Sequence, residues 1–148
     1  MQLILWRHAE AESGAPDEAR RLTARGKRQA RRVAKWLRRR LPENARVLVS
    51  PALRAQRTAR ELTRRFETSE AVGLSASASG VLAAAGWPDP AERTVVVVGH
   101  QPTLGEAVAL ALTGRIEPWS LEKGALVWLE SREGERALLR AAITPDLC

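Results

Sequence analysis

The stretch TVVVVGH, residues 94–100, decides the fold class that we predict for this chain. Four consecutive valines leave no polar face, and such runs are typical of parallel strands that are buried on both sides. β-branched side chains also favour extended backbone. The run ends at Gly99-His100, so the sequence predicts a histidine at the carboxyl edge of a central strand.

Two more apolar runs predict strands of the same sheet. Leu3–Trp6 and Val47–Val49 are short and continuously apolar, as expected of buried strands. Helical patterns follow the strands, from Thr23 to about Arg40, from Pro51 to about Phe66, and from Thr103 to about Thr113.

Each of these helices has a start signal. Thr23 is expected to cap the first helix, whose apolar positions recur at helical spacing. Pro51 suits the first position of the second helix. Thr103-Leu104-Gly105-Glu106 matches a capping box, in which the Thr and Glu side chains satisfy free amides at the helix start.

The remaining segments predict shorter elements. Residues 9–22 are polar and contain glycine and proline, which predicts a loop. Residues 67–80 are small and weakly patterned. Within this segment a short strand is possible near Val72–Leu74. A short helix is predicted at Val81–Ala85 and ends at Gly86. Further on, the sequence predicts an antiparallel hairpin with strands at Ala125–Glu130 and Ala137–Thr144 and a turn at Ser131–Gly134.

Strands that alternate with helices predict an α/β fold. We expect one domain over residues 1–148, a three-layer sandwich with a mostly parallel central sheet, helices on both faces and a C-terminal antiparallel hairpin. The single cysteine, Cys148, excludes an intrachain disulfide and a cysteine metal site. No stretch approaches the roughly 20 apolar residues of a membrane span, and we expect a cytoplasmic protein without a membrane partner.

Charged and polar side chains follow three of the predicted strands. Because ligands of open parallel sheets bind beyond the carboxyl ends of the strands, we expect these side chains to converge. Two guanidinium groups would match phosphate oxygens, and a neutral imidazole beside them can attack phosphorus. The sequence therefore predicts a phosphoryl pocket that needs no metal and no cofactor. Its members are Arg7, His8, Ser50, Arg54 and His100.

Each of these residues also has an ordinary structural explanation. A single histidine at a strand end is more often a core or surface residue than a nucleophile. Arg54 alone fits a solvated helix position, Ser50 fits a helix cap, and His100 fits a turn with a backbone hydrogen bond. Only the convergence of the set favours catalysis.

Four motifs resemble those of the histidine phosphatase superfamily, also called the phosphoglycerate mutase-like family. Arg7-His8-Ala9 is similar to its Arg-His-Gly signature, and LTARG at Leu22–Gly26 to its Leu-Thr-x-x-Gly element. SPALRAQRTA at Ser50–Ala59 resembles its Ser-Pro-x-x-Arg-Ala-x-x-Thr-Ala stretch, and GHQP at Gly99–Pro102 its Gly-His-x-Pro element. The short length is similar to that of phosphohistidine phosphatases of the SixA type.

The resemblance implies a role for each matched position. His8 would be the nucleophile that is transiently phosphorylated. Arg7, Arg54 and His100 would form the phosphate pocket and act in catalysis, with Ser50 among the residues that bind substrate.

Three departures from the family pattern bear on the substrate. Ala9 replaces the usual Gly, and Gly14 stands about where many members carry a phosphate-binding Asn. Larger members supply a proton-donating carboxylate before the last central strand, whereas residues 75–86 (SASASGVLAAAG) contain no acid. An imidazole leaving group, with a pKa of about 6.5, can carry its own proton, so the missing acid favours phosphohistidine over sugar phosphates. Other candidate donors are Glu10, Glu12 and Asp17.

Eleven Lys and Arg residues lie between Arg20 and Arg40, outside the apolar stripe of the first helix. The first interpretation is a solvated basic face. A docking surface for an acidic partner domain comes second. Nucleic-acid binding comes third, because the chain has no Tyr and one Phe for base stacking.

We therefore predict a phosphatase that removes the phosphoryl group from phosphohistidine on a signalling or phosphotransfer protein, through phospho-His8, and releases inorganic phosphate. One alternative is a phosphatase of small phosphate esters. An alternative of another class is a non-catalytic binding module that uses the basic helix.

Overall fold

The valine run forms a central strand of a six-stranded sheet. The structure is a computed structural model that describes residues 1–89, 91, 94–133 and 137–148. Its strands are β1 (Gln2–Arg7), β2 (Arg46–Val49), β3 (Glu67–Thr68), β4 (Thr94–Gly99), β5 (Leu126–Glu130) and β6 (Leu138–Ile143). Its helices are α1 (Ala24–Arg38), α2 (Leu53–Leu62), α3 (Ala78–Ala84) and α4 (Thr103–Thr113). The strand order is β3-β2-β4-β1-β5-β6.

The sheet is mostly parallel, as predicted. β4 pairs in parallel with β1 and with β2, and β2 pairs in parallel with β3. β5 is antiparallel to β1 and β6 is antiparallel to β5, which confirms the C-terminal hairpin. Gly134 of the expected turn lies outside the described residues. Because Arg7 lies opposite Gly99, the next residues of the two strands, His8 and His100, leave the sheet side by side.

Alternate side chains of the strands pack against helices on opposite faces of the sheet. Leu3 and Val97 belong to one core cluster, with residues of α3 and α4. Ile4 and Val98 belong to the other, with residues of α1 and α2. Each such buried side chain stabilises the fold by about 1.5–3 kcal/mol relative to exposure. Within the described part of the chain, no helix has the length and apolar character needed to cross a membrane.

The first helix begins where the sequence predicts. The Thr23 hydroxyl accepts a hydrogen bond from the Gly26 amide at 2.9 Å. This bond satisfies one of the free amides at the helix start. The helix ends at Arg38, two residues before the expected end.

The expected start of the second long helix and the expected cap of the third need correction. α2 begins at Leu53, because Ala52 is extended and its amide donates to the Ser50 hydroxyl, which leaves Pro51 in a turn. α2 ends at Leu62 instead of near Phe66. α4 does begin at Thr103, but not through a capping box. The Thr103 hydroxyl donates to the Ala76 carbonyl, and the Gln101 side chain accepts from the Gly105 amide in its place.

The weakly patterned segment also differs from the prediction. Its strand is at Glu67–Thr68 and pairs with β2, whereas Val72 lies in a 3-10 turn with its side chain buried. The helix starts at Ala78 because the Ser77 hydroxyl caps the Gly80 amide at 3.0 Å. Gly86 follows the helix with a φ of 73°, which suits glycine.

Candidate active site

The ends of three parallel strands bring the predicted residues together. The His8 amide donates to the Gly99 carbonyl at 3.0 Å, and the Ser50 amide donates to the Val98 carbonyl at 3.1 Å. The rings of His8 and His100 lie 5.2 Å apart, centre to centre. A cleft of about 320 Å³ is lined by four of the five predicted residues, namely Arg7, His8, Arg54 and His100.

The hydrogen bonds of His8 assign its tautomer. Nδ1 lies 2.8 Å from the Ala9 carbonyl, which only accepts, so Nδ1 carries the proton. Nε2 then has the lone pair and accepts from Arg54 Nε at 3.2 Å. An imidazole in this state presents a nucleophilic nitrogen to the cleft.

Burial keeps both histidines neutral. The pKa of His8 is lowered from 6.5 to about 3, mainly by burial, with smaller contributions from the charges of His100, Arg54 and Arg7; the hydrogen bond to Ala9 opposes the shift. The pKa of His100 is lowered to about 4, again mainly by burial. The neighbouring cations also favour the neutral ring, but their effect is smaller than that of burial.

Ser50 acts on His100 and does not line the cleft. Its oxygen accepts from the Ala52 amide at 3.2 Å and lies 2.7 Å from His100 Nε2. Since His100 Nε2 is the one acceptor for the serine O–H among the described residues, we assign the hydroxyl as its donor and place the His100 proton on Nδ1. Ser50 is a support for His100 in this structure, whereas the sequence placed it with the residues that bind substrate.

Two buried donors lack partners in the described part of the molecule. They are His100 Nδ1 and Arg7 Nε. Arg7 is held in place by its other end, since Nη1 donates to the Leu121 carbonyl at 2.7 Å. Buried donors without partners are rare, and both residues line the cleft. An anion with several acceptor oxygens would satisfy them.

All three nitrogens of the Arg54 guanidinium group form hydrogen bonds. Nε bonds to His8, Nη1 donates to the Asp17 carbonyl at 2.8 Å, and Nη2 donates to the Asp17 carboxylate at 3.0 Å. The hydrogen bond from Arg54 lowers the pKa of Asp17. Asp17 is thus held as a carboxylate, which argues against the alternative that it donates a proton.

The wall of the cleft is cationic. Besides the predicted residues, Arg20 and Lys123 line it, and no carboxyl side chain does so among the residues that the structure describes. The other two candidate donors, Glu10 and Glu12, do not line the cleft. Glu10 instead accepts from the Thr23 hydroxyl at 2.8 Å, at the start of α1.

Sequence reasoning missed four residues of the site, of which Arg20 was counted only among the basic residues between Arg20 and Arg40. Thr58 stands in the motif that contains Arg54, four residues later, so its position on the same helix face was available as a signal. Asp17 was considered only as a proton donor. Lys123 had no signal, because it comes from the loop before β5.

Thr58 joins the segment after His8 to α2. Its hydroxyl donates to the Arg54 carbonyl at 2.7 Å and accepts from the Ala9 amide at 3.0 Å. Ala9 itself is fully buried against Leu22 and Ala30, and no residue other than glycine has positive φ in the described chain. The replacement of glycine by Ala9 therefore needs no unusual backbone.

We expect Thr58→Val to lower the free energy of unfolding by about 1–3 kcal/mol, because the buried Ala9 amide loses its acceptor without a change in side-chain volume. Thr58→Ser keeps the hydroxyl and is the matched control. Urea denaturation of both variants measures the difference. Equal stability of Thr58→Val and Thr58→Ser would contradict the role of this bond.

The depressed pKa values of the histidines predict a pH-dependent stability. Below about pH 6.5 both histidines become protonated in the unfolded chain. In the folded protein they stay neutral down to about pH 4 for His100 and about pH 3 for His8. The free energy of unfolding should fall as the pH is lowered through this window, by up to about 1.4 kcal/mol per pH unit for each imidazole. Urea unfolding at several pH values should show a shallower fall for His8→Asn, and an unchanged slope would refute the assignment.

The residues that the structure describes contain no group of three or more His, Cys, Asp or Glu side chains arranged to hold a metal ion. In the cleft, the positive charge near a bound anion comes from Arg7, Arg20, Arg54 and Lys123.

Comparisons with known proteins agree with this geometry. The model of the histidine phosphatase superfamily (branch 1) matches residues 3–74. The phosphohistidine phosphatase SixA homolog of Haemophilus influenzae is 33% identical over 144 residues, which is 87% of this chain and 87% of that protein. Phosphohistidine phosphatase SixA of Escherichia coli is 31% identical over 132 residues, 80% of this chain and 78% of that protein.

Solved structures show the same fold. The protein histidine phosphatase SixA complexed with tungstate superposes with a TM-score of 0.85 at 27% identity, over 99% of this chain and 98% of that one. A phosphoserine phosphatase mutant from Entamoeba histolytica superposes with a TM-score of 0.72 at 18% identity, over 97% of each chain, and shows the fold alone.

Proposed function

The chain belongs to the histidine phosphatase superfamily, and we propose that it hydrolyses phosphohistidine on a protein through a phosphorylated His8. The observation that carries this proposal is a neutral His8 whose Nε2 lone pair lies in a cationic cleft, with no carboxyl side chain lining the cleft among the described residues. The relatives named as phosphohistidine phosphatases support the choice of substrate class.

The first step transfers the phosphoryl group to His8. The Nε2 lone pair attacks phosphorus as the phosphorus–nitrogen bond of the substrate breaks, and the leaving imidazole keeps or takes up a proton from water. Arg54 Nε must turn from His8 to a phosphoryl oxygen, and Arg7 Nε and His100 Nδ1 gain the acceptors they lack. These donors would stabilise the charge of the transferred group.

The second step releases phosphate. Water attacks phosphorus, the bond to Nε2 breaks, its electron pair returns to His8, and the protons of the water leave with the phosphate. The bond from Nδ1 to the Ala9 carbonyl holds the ring in one orientation through both steps. Because burial lowers the pKa of His8 to about 3, the released ring stays neutral and can attack again. Guanidinium groups take the place of a metal ion in this mechanism.

Small phosphate esters are the second candidate substrates, because the cationic lining of the cleft suits any phosphoryl group. An alkoxide leaving group needs a proton donor. Asp17, whose carboxylate accepts a hydrogen bond from Arg54, is held ionised by that bond. We therefore expect esters to react slowly.

The test compares kcat/KM on a phosphohistidine peptide with kcat/KM on glycerol and sugar phosphates. We expect a preference for phosphohistidine of about a hundredfold or more, the range that a missing general acid would cost an ester. A preference for esters would show that small phosphate esters are the substrates instead. No turnover of either class would favour the non-catalytic binding module. The expected cytoplasmic location stays a prediction.

A further inference from the structure

The excess positive charge of the chain resides on one helix. α1 carries seven of the 24 Lys and Arg residues and none of the 17 Asp and Glu residues. The rest of the chain therefore has equal numbers of both signs, and the net charge of +7 equals the charge of α1. A charge that is confined to one element produces a directed field on one side of the molecule.

Most of these cations have no carboxylate partner. Arg25 lies 3.7 Å from Glu10 and Arg31 lies 3.4 Å from Glu61, and both arginine side chains are largely exposed. Within the described ranges, the other cations of the exposed face form no salt bridge. They include Lys27, Arg28, Arg32 and Lys35.

A groove runs along this helix. It has a volume of about 490 Å³. Arg25, Arg28 and Arg32, at helical spacing, line one side, and Glu122 and Asp146 lie among the residues of the other side. None of the groove residues that the structure describes is aromatic.

The groove adjoins the catalytic cleft. Gln29 of the groove accepts from the Glu10 amide at 2.9 Å, two residues after His8. Gly124 donates to the His8 carbonyl at 3.0 Å, and a Cβ atom on Gly124 would lie 3.3 Å from Gln29 Cβ. Lys123 lines the cleft and its neighbour Glu122 lines the groove. Adjacent residues of one loop thus line the two sites.

We propose, on the premise of the proposed function, that the groove along α1 binds an acidic segment of the substrate protein next to its phosphohistidine. A protein that inserts a side chain into the cleft must cover the surroundings, since a typical interface buries about 800 Å² on each partner. Unpaired arginines beside the cleft attract acidic surfaces and speed their association. Nucleic acid fits less well, because the groove offers no ring for base stacking.

The test uses two phosphohistidine peptides of about a dozen residues, a length that reaches past the cleft into the groove, with Asp and Glu or with Lys on both sides of the histidine. Three enzymes are compared: wild type, Arg28→Glu/Arg32→Glu, and the control Arg64→Glu/Arg65→Glu. The control changes the net charge equally on exposed residues beyond the far end of α2. Free phosphohistidine, which needs no groove, is the reference substrate.

We expect wild type to prefer the acidic peptide by about tenfold in kcat/KM at low salt, and to lose this preference as salt screens the charges. Arg28→Glu/Arg32→Glu should lose the preference, whereas the control and all rates on free phosphohistidine should change less than about twofold. Retention of the preference by Arg28→Glu/Arg32→Glu, or an equal loss in the control, would overturn the docking site.

The remaining outcomes distinguish a failure of the proposed function from a failure of the docking proposal. If wild type hydrolyses neither the two peptides nor free phosphohistidine, the proposed function fails and the docking proposal falls with it. If all three enzymes hydrolyse it equally but wild type shows no peptide preference, only the docking proposal fails. Binding of duplex DNA or RNA by wild type that is lost in Arg28→Glu/Arg32→Glu, with unchanged peptide rates, would assign the groove to nucleic acid instead.

Discussion

His8→Ala is expected to reduce phosphohistidine hydrolysis by roughly three to six orders of magnitude, the range found when a catalytic nucleophile is removed. The physical reason is the loss of the Nε2 lone pair in the cleft. The variant should retain binding of inorganic phosphate, because the donors of Arg7, Arg54 and His100 remain.

Two measurements check this expectation. Rapid acid and alkaline quench of a turnover mixture with radiolabelled substrate should give an acid-labile, base-stable phosphoenzyme with wild type and none with His8→Ala. Calorimetric titration with inorganic phosphate should give affinities for wild type and His8→Ala that lie within a few-fold of each other. His8→Asn, which keeps a polar side chain, guards against a folding defect. Equal labelling of wild type and His8→Ala would remove His8 from the mechanism.

Arg54→Lys is the second change with a large expected effect. We expect kcat/KM to fall by about 10²–10³, comparable to the loss of a preorganised donor at a developing oxyanion. Lysine keeps the charge but cannot reproduce the forked guanidinium, whose three nitrogens bond to His8 and Asp17. Arg54 is only 4% exposed, so water cannot replace the missing donors.

The matched control is Arg57→Lys, an exposed position on the same helix. We expect its kcat/KM to stay within about twofold of wild type. Steady-state rates on a phosphohistidine peptide, with phosphate as a competitive inhibitor, separate the loss of binding from the loss of rate. A decrease of less than threefold in Arg54→Lys would show that the fork is not used in the transition state.

Local patterns in the sequence predicted most of the fold. The valine run and the apolar run at Leu3–Trp6 became parallel neighbours, and Thr23 became the cap of α1. The capping box at Thr103 failed, although its residues match the pattern, because Ala76 takes the Thr103 hydroxyl and Gln101 supplies the cap. A local pattern cannot show which distant group competes for a side chain.

In the active site, too, local motifs identified residues but not the contacts between distant ones. The motifs named His8, Arg54 and His100, and the strand order then placed them around one cleft. The motifs did not reveal that Ser50 supports His100, since that contact joins strands 50 residues apart in the chain. Nor did they reveal the contact of Arg54 with Asp17, which depends on the path of the first loop.

The residue patterns predicted an α/β sheet whose strand ends carry two histidines and two arginines, and a segment without an acid before β4. The protonation states of these groups depend on contacts that form only in the folded chain. The proton of His8 is on Nδ1 because the Ala9 carbonyl faces it, and its pKa is low because the surrounding layers bury the ring. Periodicity and motifs depend on neighbours in the chain, whereas tautomers, burial and unpaired donors depend on distances between residues that only folding brings together.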